Sequence, residues 1–573
     1  MHVVATAGHV DHGKSTLVQT LTGMDPDRFA EEKTRGLTID LGFAWTTLPS
    51  GRELAFVDVP GHVRFIKNML AGVGAVDACL FAVAATEGWK PQSEEHLRIL
   101  ELLGIDRGIV ALTKVGLVDE EWRELAQLEL ADHLKGSFLE RAEVVEVDAV
   151  AGTGVAELQA ALDRLLAGTP VAADRGRPRL WVDRSFAAKG SGTVVTGTLA
   201  GGPLLVDDDL VLHPGGRKAR VRGLQSHKAS LAAAGPGRRL AVNLAGVHHE
   251  QVERGYALVH GDQWEPTKVV DCALTVLASL DHDVSRRGAY QAYIGSGEHP
   301  IRLRVLGGEK LVPGSTGFVR LHLPVPLPLL PGDRLVVRES GRGETVGGGE
   351  VLDVAPVLPA YKARPSRSVE RVVAERTWVE TDLLERLTGE RREATLGRWV
   401  VDPAALAAAR ERLRTAVAGA GPLGLDVAAL DERDRAVLDQ LDGITIDAGR
   451  ATVAGASADP LRDHPFVAAL DADPFAPPPP DGVDKAELRE LARRGLVVQQ
   501  DGVWFSPAAL DKAARLVARL LADNPDGVTV AQLRDAFGTT RKYVLPLLAN
   551  LDATGVTRRR GDLRIGGPRL PSP

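Results

Sequence analysis

The sequence predicts a multidomain chain: an α/β domain first, then two β-barrels, then an α-rich C-terminal part of tandem winged helices. Three observations carry that prediction. A glycine-rich loop, GHVDHGKS at 8–15, joins a short apolar strand (3–7) to a helical pattern (17–22). The helical period disappears after Pro170, and strands with turn glycines take over. Beyond Pro365, short helical patterns return with small apolar strands between them.

Size and composition agree. The chain has 573 residues, 44% of them hydrophobic, enough for about four or more domains of ~150 residues each. A net charge of −7 argues against a surface coated in basic charge but leaves local patches open. Cys79 and Cys272 both lie in apolar, strand-like runs, so they read as reduced core residues and not as a disulfide or metal site. No apolar run reaches ~18 residues, which predicts no membrane span. The chain starts on a functional strand, so no signal peptide is expected and a cytoplasmic protein is. It is expected to be a monomer.

Taken in order, residues 1–170 alternate strands (54–59, 78–84, 108–113) with helices (94–103, 120–134), the pattern of a parallel sheet covered on both faces. The loop at 8–15 fits G-x-x-x-x-G-K-S between strand and helix. Gly8, His9, Asp11, His12 and Gly13 can turn backbone N–H groups toward a phosphate. Lys14 reaches the outer phosphates, Ser15 offers a hydroxyl to Mg²⁺, and Thr16 opens the helix. Asp58-Val-Pro-Gly61-His62 follows at a strand end, where Asp58 can hold Mg²⁺ through water and the Gly61 N–H can touch a γ-phosphate. Between the two lies Arg35-Gly-Leu-Thr38-Ile-Asp40. The Thr38 hydroxyl there would complete the Mg²⁺ shell only with a γ-phosphate present, making 31–43 an order–disorder switch.

GHVDHGKST, RGLTID and DVPGH together resemble the elongation factor Tu-like translational GTPases. That resemblance implies GTP/GDP with Mg²⁺ and GTP hydrolysis stimulated by the ribosome. It gives His62 the role of positioning the attacking water, beside a hydrophobic gate at Val10 and Leu37. One motif departs from the family. Guanine is normally read by a carboxylate in Asn/Thr-Lys-x-Asp, but this chain has Thr113-Lys114-Val115-Gly116, and Gly116 has no acceptor. The next motif, usually Ser-Ala, reads Asp148-Ala149. Asp148 either supplies the missing carboxylate from the opposite loop or caps a turn; Asp119 is a weaker candidate.

Strands at 180–186, 192–199, 210–213, 219–224 and 239–244 predict a barrel over 175–262. A second run, from 268–277 through 350–354, predicts another over 266–356. Here the resemblance narrows. KGSGTVVTGT (189–198), VRGLQSH (221–227), LAVNLAG (240–246), SGRGETVGGG (340–349) and DLGF (40–43) are similar to the selenocysteine-specific elongation factors, the SelB family. That likeness implies an aminoacyl pocket at Phe43, Arg184 and Arg239. A selenol is largely ionised near neutral pH, whereas a thiol, with a pKa of about 8.5, is mostly neutral, so two guanidiniums reward a selenolate above cysteine or serine. Without the likeness, either arginine reads more readily as a barrel-surface ion pair.

The prolines of 356–365 mark a linker. Four winged helices are expected at 366–400, 401–455, 458–507 and 508–567, with the proline run 473–480 as a stiff loop in the third. The last is chemically distinct: from Leu510 onward there are eleven Lys/Arg against six Asp. Arg541 and Lys542 open a predicted helix, and Arg558, Arg559, Arg560 and Arg564 fall on the predicted wing. A basic helix start with a basic wing suits an RNA hairpin, and a solvated charged face is the bland alternative. The resemblance implies selenocysteinyl-tRNA, an mRNA selenocysteine-insertion hairpin and the ribosome as partners, with delivery at a recoded UGA codon. Two other readings stay open: a general translational GTPase of the initiation-factor γ type, and a winged-helix RNA-binding regulator with a degenerate nucleotide domain.

Overall fold

A computed structural model describes all residues except 27–37, 63–64, 74–75, 189, 191, 456–460 and 573. The chain divides into two compact units, Met1–Asp402 and Pro403–Pro573.

The first unit opens with a six-stranded sheet: β1 (His2–Ala7), β2 (Gly42–Thr47), β3 (Glu53–Asp58), β4 (Ala78–Ala84), β5 (Gly108–Thr113) and β6 (Val144–Val147), in the order β2-β3-β1-β4-β5-β6. All neighbours are parallel except β2 with β3. The continuous apolar runs predict strands buried on both faces, and β1, β4 and β5 are buried at every residue. Leu17 and Val18 of helix Lys14–Thr22 and Leu158 and Leu162 of helix Val155–Ala167 cover one face. Met69, Leu97 and Leu130, from three further helices, cover the other. A doubly wound sheet of this kind collects functional loops at the carboxyl ends of its strands.

Two closed barrels follow. The first runs Asp209–His213, Ala257–Val259, Arg179–Trp181, Gly192–Ala200, Arg239–Ala245 and Arg217–Ser226, the last pairing back to the first. Strand Arg184–Ala188 adds to it along Gly192–Ala200. Alternation sets its core: in Arg239–Ala245, Leu240, Val242 and Leu244 point inward. The second barrel closes through Thr267–Val276, Thr316–Leu327, Gly297–Val305, Tyr290–Ile294, Arg334–Glu339 and Glu344–Asp353. Cys79 and Cys272 are free, fully buried core residues, and burial pushes both thiols up.

The second barrel's core does not end with its strands. Val369, Val372, Leu384 and Leu387, from helices Val369–Arg376 and Thr381–Thr388, share one buried cluster with Val270 and Leu274. Arg371 Nη1 lies 2.8 Å from Asp353 Oδ2, tying helix to barrel. The proline-rich stretch 356–365 contains no helix or strand, yet Ala360 and Ala363 are buried against Leu306. It straps along the barrel.

The second unit repeats a simple plan. Helices Pro403–Ala418 and Glu432–Leu438 precede the hairpin Ile444–Asp447/Arg450–Val453. Helices Pro465–Ala472 and Lys485–Arg493 precede Val498–Gln500/Val503–Phe505. The last repeat has three helices, Pro507–Asp523, Val530–Phe537 and Arg541–Ala553, and a three-stranded wing of Val528–Thr529, Leu563–Gly566 and Thr557–Arg560. Ser506 caps the first of these helices, and Thr529 with Gln532 forms a capping box on the second.

Candidate nucleotide, aminoacyl and RNA sites

β1 delivers the chain into a turn that Gly8 (φ 125°) and Gly13 (φ 79°) make possible, before Lys14 starts the helix. The Lys14 ammonium is buried and donates to the carbonyls of Gly8 (3.0 Å) and His9 (2.6 Å). Burial lowers its pKa to about 8, against the opposing pull of Asp58 and Asp11. Ser15 Oγ donates to Asp58 Oδ2 at 2.6 Å and lies 2.9 Å from Thr38 Oγ1. Asp58 Oδ1 accepts from Thr6 Oγ1 at 2.7 Å, which fixes the carboxylate. Ser15, Thr38 and Asp58 thus form one cluster of hard oxygen donors, the chemistry that suits Mg²⁺.

The second phosphate motif packs against the first. A Cβ on Gly61 would stand 2.5 Å from Lys14 Nζ and 2.7 Å from the Val10 nitrogen, so only glycine fits there. His62 follows, with its ring 5.9 Å from that of Phe65. Leu37 lies outside the described residues, so only Val10 of the expected gate pair is placed.

His12 is buried, its Nδ1 3.3 Å from the Ala82 carbonyl, and burial lowers its pKa to about 3. A residue absent from the sequence reading braces the loop from behind. His96, fully buried in helix Pro91–Leu102, accepts the Gly8 N–H on Nδ1 at 3.1 Å, and burial lowers its pKa to about 3 as well. A single histidine inside an amphipathic helix carries no sequence signal for that contact.

On the base side, Thr113 Oγ1 donates to the His12 carbonyl at 2.8 Å, locking this loop to the phosphate loop. Lys114 is left-handed (φ 58°) with Nζ 3.4 Å from Glu87 Oε1. Asp119 is committed as an N-cap, accepting from the Trp122 N–H. Asp148 does cap a turn: its Oδ1 accepts the N–H groups of Val150 and Ala151, each at 3.0 Å. Its other oxygen faces Gly116. The Ala149 carbonyl accepts from Thr20 Oγ1 at 3.3 Å, so this loop also touches the first helix, which Thr16 helps to open.

The expected aminoacyl residues come together. Phe43 on β2 lies under two guanidiniums, with Arg239 Cζ 3.3 Å and Arg184 Cζ 4.7 Å from its ring centroid. They line an open pocket of about 230 Å³ that also includes Trp45 and His227, stacked with centroids 5.0 Å apart. Neither arginine is a bare cation. Arg239 forms a two-pronged bond to Asp183 (2.5 and 2.9 Å), whose side chain is 7% exposed. Arg184 lies 3.6 Å from Asp40 and donates to the Leu41 carbonyl. Arg254 donates to Asp40 (2.6 Å), to Asn68 Oδ1 (2.8 Å) and to the Asp183 carbonyl (2.9 Å). Burial works to raise the Asp40 pKa, but the Arg254 hydrogen bond and the Arg254 and Arg184 charges hold it below the usual carboxylate range. Asp183 and Arg254 were missed from sequence. Asp183 sits next to Arg184 in DRSF, but Arg254 lies in an unremarkable polar turn.

In the last repeat, Arg541 and Lys542 are exposed in the first helical turn, and Arg558, Arg559 and Arg560 are exposed on the wing. Arg564 departs from the expectation of an RNA-facing residue. It is 8% exposed and donates from Nε to Asp552 Oδ2 at 2.9 Å. Its strand points that side chain inward, where it staples wing to helix.

Comparison with known proteins matches residues 1–167 to the elongation factor Tu GTP binding domain. Residues 272–357 match the beta-barrel domain of selenocysteine-specific elongation factor, and residues 519–565 match a winged helix of elongation factor SelB. The selenocysteine-specific elongation factor of Desulfomicrobium baculatum is 43% identical over 353 residues, 61% of this chain and 55% of that protein. The one from Escherichia coli K12 is 37% identical over 355 residues, 62% of this chain and 56% of that protein. The chain therefore spans about half the length of the curated relatives it matches. A crystal structure of a bacterial selenocysteine-specific elongation factor, EF-Sec, superposes with a TM-score of 0.68 at 28% identity, covering 99% of both chains.

Proposed function

We propose that this chain is a selenocysteine-specific translation elongation factor. In that role it binds GTP, selenocysteinyl-tRNA and an mRNA selenocysteine-insertion hairpin, and delivers the tRNA to the ribosome at a recoded UGA codon with GTP hydrolysis. The observation that carries the reading is the cationic pocket. Phe43, from the nucleotide domain, lies under Arg184 and Arg239, from the first barrel, with Arg239 Cζ only 3.3 Å from the ring centroid.

In this reading Lys14 and the loop N–H groups hold the outer phosphates of GTP. Ser15, Thr38 and Asp58 would hold Mg²⁺, which would supply positive charge to offset that of the transferring phosphoryl group. His62, one residue beyond the Gly61 contact, orients the attacking water. Three guanidiniums (Arg184, Arg239, Arg254) and two carboxylates (Asp40, Asp183) leave the ion-pair network with a surplus positive charge, and the Lys228 ammonium lines the same pocket. That charge favours a selenolate, while Asp183 and Asp40 hold the guanidiniums in place for directional contact. Asp40 lies within the switch segment 31–43 and pairs with Arg184 and Arg254, so a change of state in that segment would reach the cargo pocket through this ion-pair network. Arg541, Lys542 and Arg558–Arg560 grip the hairpin backbone. Among the described residues no helix is long and apolar enough to cross a membrane.

The test is filter binding with one tRNA body charged with selenocysteine or serine, with and without GTP. GTP-dependent preference for the selenocysteinyl form is expected. Equal affinity for both would remove this reading in favour of a general translational GTPase.

A further inference from the structure

The base-reading loop lacks its carboxylate, and the structure assigns that task to Asp148: we infer that guanine is read from the opposite loop, with Gly116 a glycine because Asp148 occupies its side-chain space. The inference rests on the GTP reading above and adds how the base is chosen.

The geometry is direct. An ideal Cβ built on Gly116 would stand 2.3 Å from Asp148 Oδ2 and 3.3 Å from its Cγ. No side chain at 116 coexists with Asp148 as placed. The carboxylate oxygen sits where the first atoms of an aspartate at 116 would sit. The two loops leave the ends of neighbouring strands, since β5 ends at Thr113 and β6 at Val147. A side chain from either therefore reaches the same space.

The two oxygens of Asp148 have separate work. Oδ1 is used twice, by Val150 and Ala151, which fixes χ1 and the plane of the carboxylate. Oδ2 has no hydrogen-bond partner among the described residues, although the side chain is half-buried. An ionised carboxylate can only accept hydrogen bonds. Guanine offers two adjacent donors on one edge, N1–H and the 2-amino group; adenine and xanthine do not offer that pair. Lys114 and Thr113, the other residues of this loop, are held to Glu87 and to the His12 carbonyl. The turn-capping and base-reading roles of Asp148 are thus compatible. The cap orients the reader.

The test uses the full chain and fluorescent GTP, XTP and ATP in equilibrium titrations. Wild type should prefer GTP. Asp148→Asn replaces an acceptor by a donor, so XTP, whose C2 carbonyl accepts, should gain while GTP loses roughly 10- to 100-fold, the worth of a hydrogen bond to a charged group. Asp148→Ser should lose GTP preference without gaining XTP. Gly116→Asp/Asp148→Ser, which moves the carboxylate back to the first loop, should recover most of the GTP preference. An unchanged GTP-to-XTP ratio in Asp148→Asn would overturn the inference alone and leave the GTPase reading standing. If Asp148→Asn binds nothing, the double variant decides: GTP binding no better than Asp148→Ser alone overturns the inference. A wild type that binds no triphosphate overturns the GTPase reading with it.

Discussion

Arginines do two kinds of work in this molecule, and the contrast lies in what stands behind each one. In the pocket at Phe43, Arg239 is locked to Asp183, and Arg184 shares Asp40 with Arg254. In the last repeat, Arg541, Arg558 and Arg560 are exposed, with no ion-pair partner among the described residues. A pre-paired, half-buried guanidinium has a fixed direction and little surplus charge, so it can discriminate one small group. An exposed one has charge and freedom, which suits a phosphate backbone and no single base. Arg564, from the same basic wing but paired to Asp552, falls on the pocket side of this divide.

Breaking the pocket pair should have the largest effect. Arg239→Ala leaves a carboxylate whose side chain is 7% exposed without its cation, with the Thr196 hydroxyl still donating to it at 2.6 Å, and the loss of stability should be about 3 kcal/mol. Adding Asp183→Asn should restore much of the melting temperature but not the preference for selenocysteinyl-tRNA. Recovery of both by the double variant would mean that the pair serves folding only. Next, Arg564→Ala should destabilise the last repeat by about 1–3 kcal/mol, with the salt slope of hairpin binding unchanged. Arg558→Ala should do the reverse, and chemical denaturation beside a salt titration tells them apart.

Acid should separate the regions too. His12 and His96 carry pKa values near 3 in the folded nucleotide domain against an ordinary 6.5. The unfolded chain therefore binds their protons first as pH falls. Stability should decline from about pH 6.5 toward pH 3, by up to about 1.4 kcal/mol per pH unit per histidine. No histidine lies beyond residue 506, so the last repeat should escape this loss. Melts at pH 7 and pH 5 resolved by domain would check it, and His96→Asn, which keeps an acceptor for Gly8, should flatten the slope. The smallest effect is expected from Arg541→Ala: one lost phosphate contact, read as a change of about 0.7–0.9 in the slope of log affinity against log salt.

Much of this was legible in the sequence, and for a physical reason. The phosphate loop, Asp58, Gly61 and the two barrels rest on local patterns: a motif between strand and helix, and period-2 alternation in strands such as Arg239–Ala245. The convergence of Phe43, Arg184 and Arg239 came through family likeness, because no local pattern joins residues almost 200 positions apart. What stayed hidden depends on three-dimensional approach. His96 behind Gly8, Asp183 behind Arg239 and Arg254 across to Asp40 are ordinary polar residues in ordinary places until the chain folds. Arg564 misled because charge was counted without the side-chain alternation that turns it inward. The linker at 356–365 was recognised by its prolines, but its two buried alanines carry no composition signal.

The near-contact between Asp148 Oδ2 and the place of a Cβ on Gly116 has a consequence for how such a chain can change. Starting from a carboxylate at position 116, an aspartate arriving at 148 meets it with a clash and two like charges. On the reading that Asp148 serves the base, losing the first carboxylate beforehand leaves the base unread. Either order passes through a handicapped intermediate, so the exchange is an isolated pair of states with a valley between them. Drift at one position alone is closed off, and the two residues are bound to be inherited together.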